Sequence, residues 1–205
     1  MAPHKGRRIA IALGVVAIAV LAAAIYACRD RLREAWYLHR LDSPDLVTSY
    51  RAARKLGELR SERALPRIVE LFRACEGHDR EAAAVFGVQR MDLGSFFPLI
   101  FMRIGSPAVP YMVEILKGNG KAHCRSMAAM SLGYIPPASR EVILLLADRA
   151  NRDRDKNVRI SCLFALSSLN AKDPEAITAI EKARGDKNPS VRRMAEFAKE
   201  LLGGE

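Results

Sequence analysis

The sequence predicts an all-α protein. Its expected form is a right-handed α-solenoid of about four helix pairs plus a C-terminal capping helix, preceded by one transmembrane helix. Three observations carry this. Among 205 residues there are 31 Ala and 22 Leu against only 6% aromatics, a balance that favours helices over a sandwich or barrel. Apolar positions recur at helical spacing, and no segment alternates with a period of two. A short polar signature returns every 33 or 34 residues along the second half of the chain, which is the mark of a stacked repeat.

The N-terminal element is justified by composition. Residues 9–28 (IAIALGVVAIAVLAAAIYAC) contain no charge, amide or proline. A helix of that length spans about 30 Å, the thickness of bilayer hydrocarbon. Lys5, Arg7 and Arg8 precede it, and Arg29, Arg31 and Arg33 follow it, so both ends carry head-group anchors. The expected layout is a basic flank at 1–8, a transmembrane helix at 9–28, a juxtamembrane helix at 29–41 and a repeat domain at 42–205. Ile25-Tyr26-Ala27-Cys28 loosely resembles a lipobox, so lipidation at Cys28 is an alternative to an uncleaved anchor. Ala19, Ala23 and Ala27 make a small-residue stripe that either packs on another helix or is accidental. With Arg40 added, the flanking cations are nearly balanced. The short basic N-terminus resembles a signal-anchor left inside, which would place the repeat domain on the exported side.

Residues 29–41 keep helical spacing, with Leu32 and Trp36 on one face. Trp36 and Tyr37 either sit in the membrane interface or cover the first packing layer. From Asp42 onward, Ser43-Pro44, Ser106-Pro107, Asp173-Pro174 and Asn188-Pro189 each place a capping residue before a proline. Ser61, Asp79, Ser139 and Asp155 are further cap candidates. Apolar sets such as Ile68/Phe72/Cys75, Val109/Met112/Val113/Leu116 and Val158/Cys162/Ala165/Leu169 follow each start.

The repeat shows in the anchors. Asp153 stands five residues before Val158-Arg159, Asp186 five before Val191-Arg192, and Asn119 five before Cys124-Arg125. Asp42 stands five before Val47-Thr48. Gly57 and Gly133 fall where a C-terminal glycine ends a helix. The second helices match each other too: Ala64-Leu65-Pro66 with Ile68-Val69-Glu70-Leu71-Phe72, and Ala108-Val109-Pro110 with Met112-Val113-Glu114-Ile115-Leu116. One helix pair cannot bury its own stripe, so successive pairs must stack. This grouping gives four pairs over 42–184 and a lone closing helix from Pro189 to Leu202. The surplus residues lie in the second repeat, where Gly94-Ser95 breaks a long apolar segment and Ser95 caps a short helix through Ile104.

These residues resemble HEAT repeats, most closely the bacterial HEAT-like type that includes the phycobilin lyase subunits. The Asp-x4-Val-Arg openings and the run from Arg103 to Pro110 carry the resemblance. It implies an α-solenoid in which Arg125, Asp153, Arg159, Asp186 and Arg192 form a structural ladder between neighbouring repeats. Asn119, Thr48 and the second repeat depart from the pattern. The resemblance also raises a lyase or isomerase as an alternative activity, although repeats specify a scaffold and not a site.

Catalytic or metal chemistry finds little support. Cys75-x-x-His78 is half of a zinc site with no second half. Cys124, beside His123, aligns with the core positions Val158 and Val191, and Cys162 falls on a buried helix face, so both read as inert thiols. No Walker, GxGxxG, HExxH or GxSxG motif is present. No cofactor is expected and the protein is not expected to be an enzyme.

The net charge of +10 invites a nucleic-acid reading. Removing residues 1–28 leaves 30 basic against 23 acidic residues, and several of those arginines belong to the ladder or the membrane flank. The densest run, Arg149, Arg152, Arg154, Lys156 and Arg159, is interleaved with Asp148, Asp153 and Asp155, as in a solvated turn. The expected role is a single-pass, membrane-anchored scaffold binding protein partners at the bilayer, as an accessory subunit of a membrane complex. A HEAT-like lyase subunit and a membrane-tethered nucleic-acid binder are the alternatives.

Overall fold

A computed structural model describes residues 18–20, 23, 28–74 and 96–203. The described residues form helices and turns, and there is no strand among them. The stretch 9–28 lies almost entirely outside them. Among the described residues no helix is long and apolar enough to cross a membrane. Lys5, Arg7 and Arg8, the pair Cys75 and His78, the cap candidate Asp79 and the Gly94-Ser95 break also lie outside.

From residue 28 onward the α-helices among the described residues are, in order, α1 (28–41), α2 (Leu46–Glu58), α3 (Leu65–Ala74), α4 (Phe97–Ile104), α5 (Val109–Lys117), α6 (Ala122–Gly133), α7 (Arg140–Arg152), α8 (Lys156–Ser168), α9 (Pro174–Ala183) and α10 (Pro189–Gly203). Their starts show the expected chemistry. Asp155 accepts from the amides of Asn157 and Val158 at 2.8 and 3.3 Å, and Ser139 accepts from Val142 at 3.4 Å. These side chains satisfy amides that a first helical turn leaves orphaned. In α2 the cap is Asp45 rather than Ser43, with the Thr48 amide 3.0 Å away. Ser61 makes no cap bond and instead donates to Glu34 of α1 at 2.5 Å. The two matching Ala-x-Pro segments begin alike: a 3-10 turn (Glu62–Ala64, Ser106–Ala108) leads into α3 and α5, with Ala64 and Ala108 fully buried.

The helices stack in two layers. In one, α2 packs on α4, α4 on α6, α6 on α8 and α8 on α10; in the other, α5 packs on α7 and α7 on α9. Arg73 of α3 reaches Glu114 of α5 at 2.8 Å, which joins α3 to the second layer. Between layers, α5 packs on α6, α7 on α8 and α9 on α10. Each of these pairs is joined by a short loop, so its helices are antiparallel neighbours.

The pairing therefore differs by one helix from the grouping expected. The pairs are α5–α6, α7–α8 and α9–α10, each with the ladder arginine on its second helix, so α10 completes a pair with α9. It still presents a polar outer face. Glu196 and Lys199 are exposed where α8 has the buried Leu163 and Leu166 at the same repeat positions, and Lys199 binds Glu181 at 2.6 Å.

The core is aliphatic toward the C-terminus and aromatic near α2–α4, where Phe72, Phe97 and Phe101 pack with ring centroids 5.2–6.1 Å apart. Tyr37 packs partly on this core, whereas Trp36 stays 52% exposed. Gly57 and Gly133 allow close helix approach and do not end their helices with positive φ. A Cβ on Gly133 would lie 2.7 Å from the Ala165 Cα. Among the described glycines only Gly105 has a positive φ, of 87°, where α4 ends.

Candidate functional site

Arg125, Arg159 and Arg192 are each the fourth residue of their helices, α6, α8 and α10. Helical side chains lean back toward the N-terminus, which carries each guanidinium over the loop it follows. There it donates to a loop carbonyl of its own repeat. Arg159 Nη1 meets the Asp153 oxygen at 2.9 Å, and Arg192 Nη1 meets the Asp186 oxygen at 2.8 Å. Arg125 Nη1 takes the Gly120 oxygen, next to the Asn119 that stands where the later repeats have aspartate.

The other edge of the fork turns to the next repeat. Arg125 binds Asp153 through Nε–Oδ2 (2.9 Å) and Nη2–Oδ1 (2.8 Å). Arg159 binds Asp186 through the same atoms at 2.8 and 2.9 Å. Each carboxylate also accepts an amide of its own loop, from Asp155 or Asn188. Burial pushes the Asp153 and Asp186 carboxyls up, but the arginine and amide hydrogen bonds outweigh it and hold both below the usual carboxylate range. Arg192 makes no ion pair among the described residues. Asp42 is bound by Arg67 of α3 at 2.9 Å, on the surface. This arrangement does structural work: it locks successive repeats in register.

The thiols are placed for packing. Cys124 and Cys162 are buried, and burial, with the Asp153 charge adding to it, pushes the Cys162 thiol far above its ordinary range. No group of three or more metal-ligating side chains gathers among the described residues. The arginine-rich run 149–159 divides by role: Arg149 donates to the Lys117 carbonyl at 2.8 Å, Arg159 serves the ladder, and Arg152 pairs with Asp148 in solvent. Arg29, Arg31 and Arg33 lie exposed along α1, with Arg29 3.3 Å from Asp30.

The second layer carries an open groove of ≈ 460 Å³ between α7 and α9. Leu144, Asp148 and Arg152 form one wall; Glu175, Thr178 and Lys182 form the other. Asn151 spans its floor, donating to the Ala179 carbonyl at 3.1 Å. Leu144, on the α7 wall, is 40% exposed. Sequence reading missed this groove, because its walls come from helices a repeat apart and share no motif.

Comparison with known proteins finds helical repeats. Residues 50–73 match the family described as PBS lyase HEAT-like repeat. No curated protein matches the chain. Among solved structures, the designed armadillo repeat protein YIII(Dq)4CqI is similar over 82% of this chain and 98% of that chain, at 15% identity and a TM-score of 0.37. Residues 109–198 match the family of HEAT repeats, and both rungs of the Asp–Arg ladder and the helix pairs α5–α6, α7–α8 and α9–α10 fall within that stretch.

Proposed function

We propose that the protein is a scaffold for protein–protein interaction, held at a membrane by residues 9–28 and serving there as an accessory subunit of a larger complex. The observation that carries the reading is the groove between α7 and α9, on the layer of the stack opposite the Val-Arg helices. It sets the exposed Leu144 among charges of both signs, which suits an extended protein segment. The twenty uncharged residues at 9–28 with cations on both sides support the anchor, and the basic N-terminus supports an exported repeat domain.

Crosslinking in native membranes followed by mass spectrometry tests the reading. Wild type is expected to crosslink a defined partner through lysines near the groove, such as Lys182. Leu144→Asp with Thr178→Asp, one change on each wall, is expected to abolish that product while leaving the thermal melt unchanged. An undiminished product from the double variant would discard the groove. Release of the protein from membranes by alkaline carbonate would discard the anchor.

A further inference from the structure

The two ends of the helical stack differ. At one end α10 turns polar side chains outward, the exposed Glu196 and Lys199 among them. At the other, α1 and α2 are joined by a short loop and form the first antiparallel pair. α1 buries one face at helical spacing: Glu34, Tyr37 and Leu38 are half-buried, and Leu41 is fully buried. Tyr37, Leu38 and Leu41 join the core, and Glu34 accepts the Ser61 hydroxyl. Leu32 and Trp36 fall on the opposite side of the helix, where they stand 61% and 52% exposed. A surface helix ordinarily sets polar residues opposite its buried stripe. α1 sets Leu32 and Trp36 there instead.

The charges around this outer face form a rim of both signs. Asp30 lies 3.3 Å from Arg29 and 4.0 Å from Arg33, all three well exposed. The Arg40 guanidinium carbon lies 4.6 Å from the centre of the Trp36 ring. Asp42, just past α1, is bound by Arg67 and shares with Trp36 and Arg40 the hollow at the turn into α2. The face is therefore defined by its apolar side chains, with arginines whose stems can lie along lipid while their heads stay in water. Leucine and tryptophan rimmed by arginine are the composition of a helix lying in a bilayer interface. Position selects lipid over a protein partner. Leu32 and Trp36 stand four and eight residues beyond Cys28, the last residue of the uncharged stretch 9–28.

We propose that the outer face of α1 lies in the membrane interface, with Leu32 and Trp36 inserted among the lipid head groups and Arg29, Arg33 and Arg40 beside the phosphates. The proposal builds on the anchor reading and adds an orientation to it. The inner face of α1 carries the solenoid, so the stack meets the bilayer by its first pair and its polar end points away. α8 lies three helix packings beyond α2, each of about 8–10 Å. The partner groove on α7, which pairs with α8, thus stands on the order of 25–30 Å from the surface.

Trp36 is the only tryptophan in the chain, so its emission reports this face alone. An upright α1 would hold it about 12 Å beyond Cys28, clear of the acyl chains, whereas an α1 lying in the interface brings it to them. The full chain is placed in nanodiscs of phosphatidylcholine, and in nanodiscs of phosphatidylcholine brominated near the carboxyl end of its acyl chains. Emission is expected to lose most of its intensity in the brominated discs. Leu32→Glu, at an exposed position, is expected to recover most of that loss with an unchanged circular dichroism melt. Unquenched emission overturns the proposal, and carbonate resistance of the same chain would then leave the anchor standing. Equal quenching in Leu32→Glu also overturns it, because the tether alone would then hold Trp36 near the lipid. Quenching of a chain that carbonate releases would reject the anchor and keep the face as a peripheral membrane contact.

Discussion

Arg125 and Asp153, on successive repeats, meet through two parallel hydrogen bonds of 2.9 and 2.8 Å, with side chains only 3% and 2% exposed. A charge pair buried this deeply is costly to break, because the surviving partner stays in the interior without compensation. Asp153→Ala is expected to destabilise the fold by about 3–5 kcal/mol, and the loop amide of Asp155 loses its acceptor as well. Replacing both partners together, as Arg125→Met with Asp153→Leu, is expected to cost less than Asp153→Ala alone. Urea unfolding of the three proteins checks this. A double variant at least as unstable as Asp153→Ala would mean that the pair is not coupled.

Acid should loosen the same rungs. The Asp153 and Asp186 carboxyls sit below the usual range in the folded protein, while in the unfolded chain they titrate near pH 4. A depressed folded value means that the stabilisation is complete above the unfolded value and is lost as pH falls through the folded one. Melting temperature is therefore expected to fall as the pH drops below about 4, where the unfolded state binds more protons. Asp153→Asn with Asp186→Asn is expected to be less stable at neutral pH and to show a flatter acid limb. Parallel acid limbs would assign the sensitivity to other groups.

The rungs were legible because a fixed interval from Asp to Val-Arg is enough to place a helix start, a core residue and a charge. The interval could not say which neighbouring helix closes the pair, because Asp153 serves the loop joining α7 to α8 and also the register with the preceding repeat. Hence the grouping α8 with α9 was expected where α7 with α8 is found. Trp36 posed a related problem. Its spacing from Leu32 suits either a bilayer interface or a packing layer; in the fold it lines a cavity together with Arg51 and Lys55 of α2. Two-helix features of this kind leave no period in the sequence.

Cys124 and Cys162 provide a check on the absence of thiol chemistry. Cys162 is enclosed between α8 and its neighbours, and burial pushes its thiol up, so the reactive thiolate is scarce at neutral pH. Cys124 is also buried, with its sulfur 4.0 Å from the Phe72 carbonyl oxygen. In native protein at neutral pH, iodoacetamide is expected to leave both unmodified while labelling the exposed Cys28, and urea is expected to open both. Peptide mass spectrometry reads the sites. Labelling of Cys124 at the rate of a free thiol would revive the reactive cysteine–histidine reading that its core position argues against.

Gly57 and Gly133 look alike in the sequence, and the structure separates them. At Gly133 an added methyl would stand 2.7 Å from the Ala165 Cα and 2.9 Å from its Cβ. Backbone cannot yield as a side chain can, so α6 and α8 would have to move apart, straining the Arg125–Asp153 rung and the 2.8 Å Ser126–Ser161 hydroxyl contact between the same helices. Overpacking of this kind costs about 1–3 kcal/mol, which outweighs the helix-propensity gain of about 1 kcal/mol from Gly to Ala. At Gly57 the tightest neighbour is the Ile100 Cγ2, a γ-methyl, at 2.9 Å, with the Ile100 Cα farther away at 3.4 Å. That methyl yields only partly, because a β-branched residue in a helix is stiff at χ1, but the backbone there is not closer than 3.4 Å. Gly133→Ala is therefore expected to lower stability, while Gly57→Ala is expected to lie within about 1 kcal/mol of wild type. Denaturant melts of both variants decide it. Equal losses at the two positions would mean that the close approach of α6 and α8 is not what holds Gly133 in place.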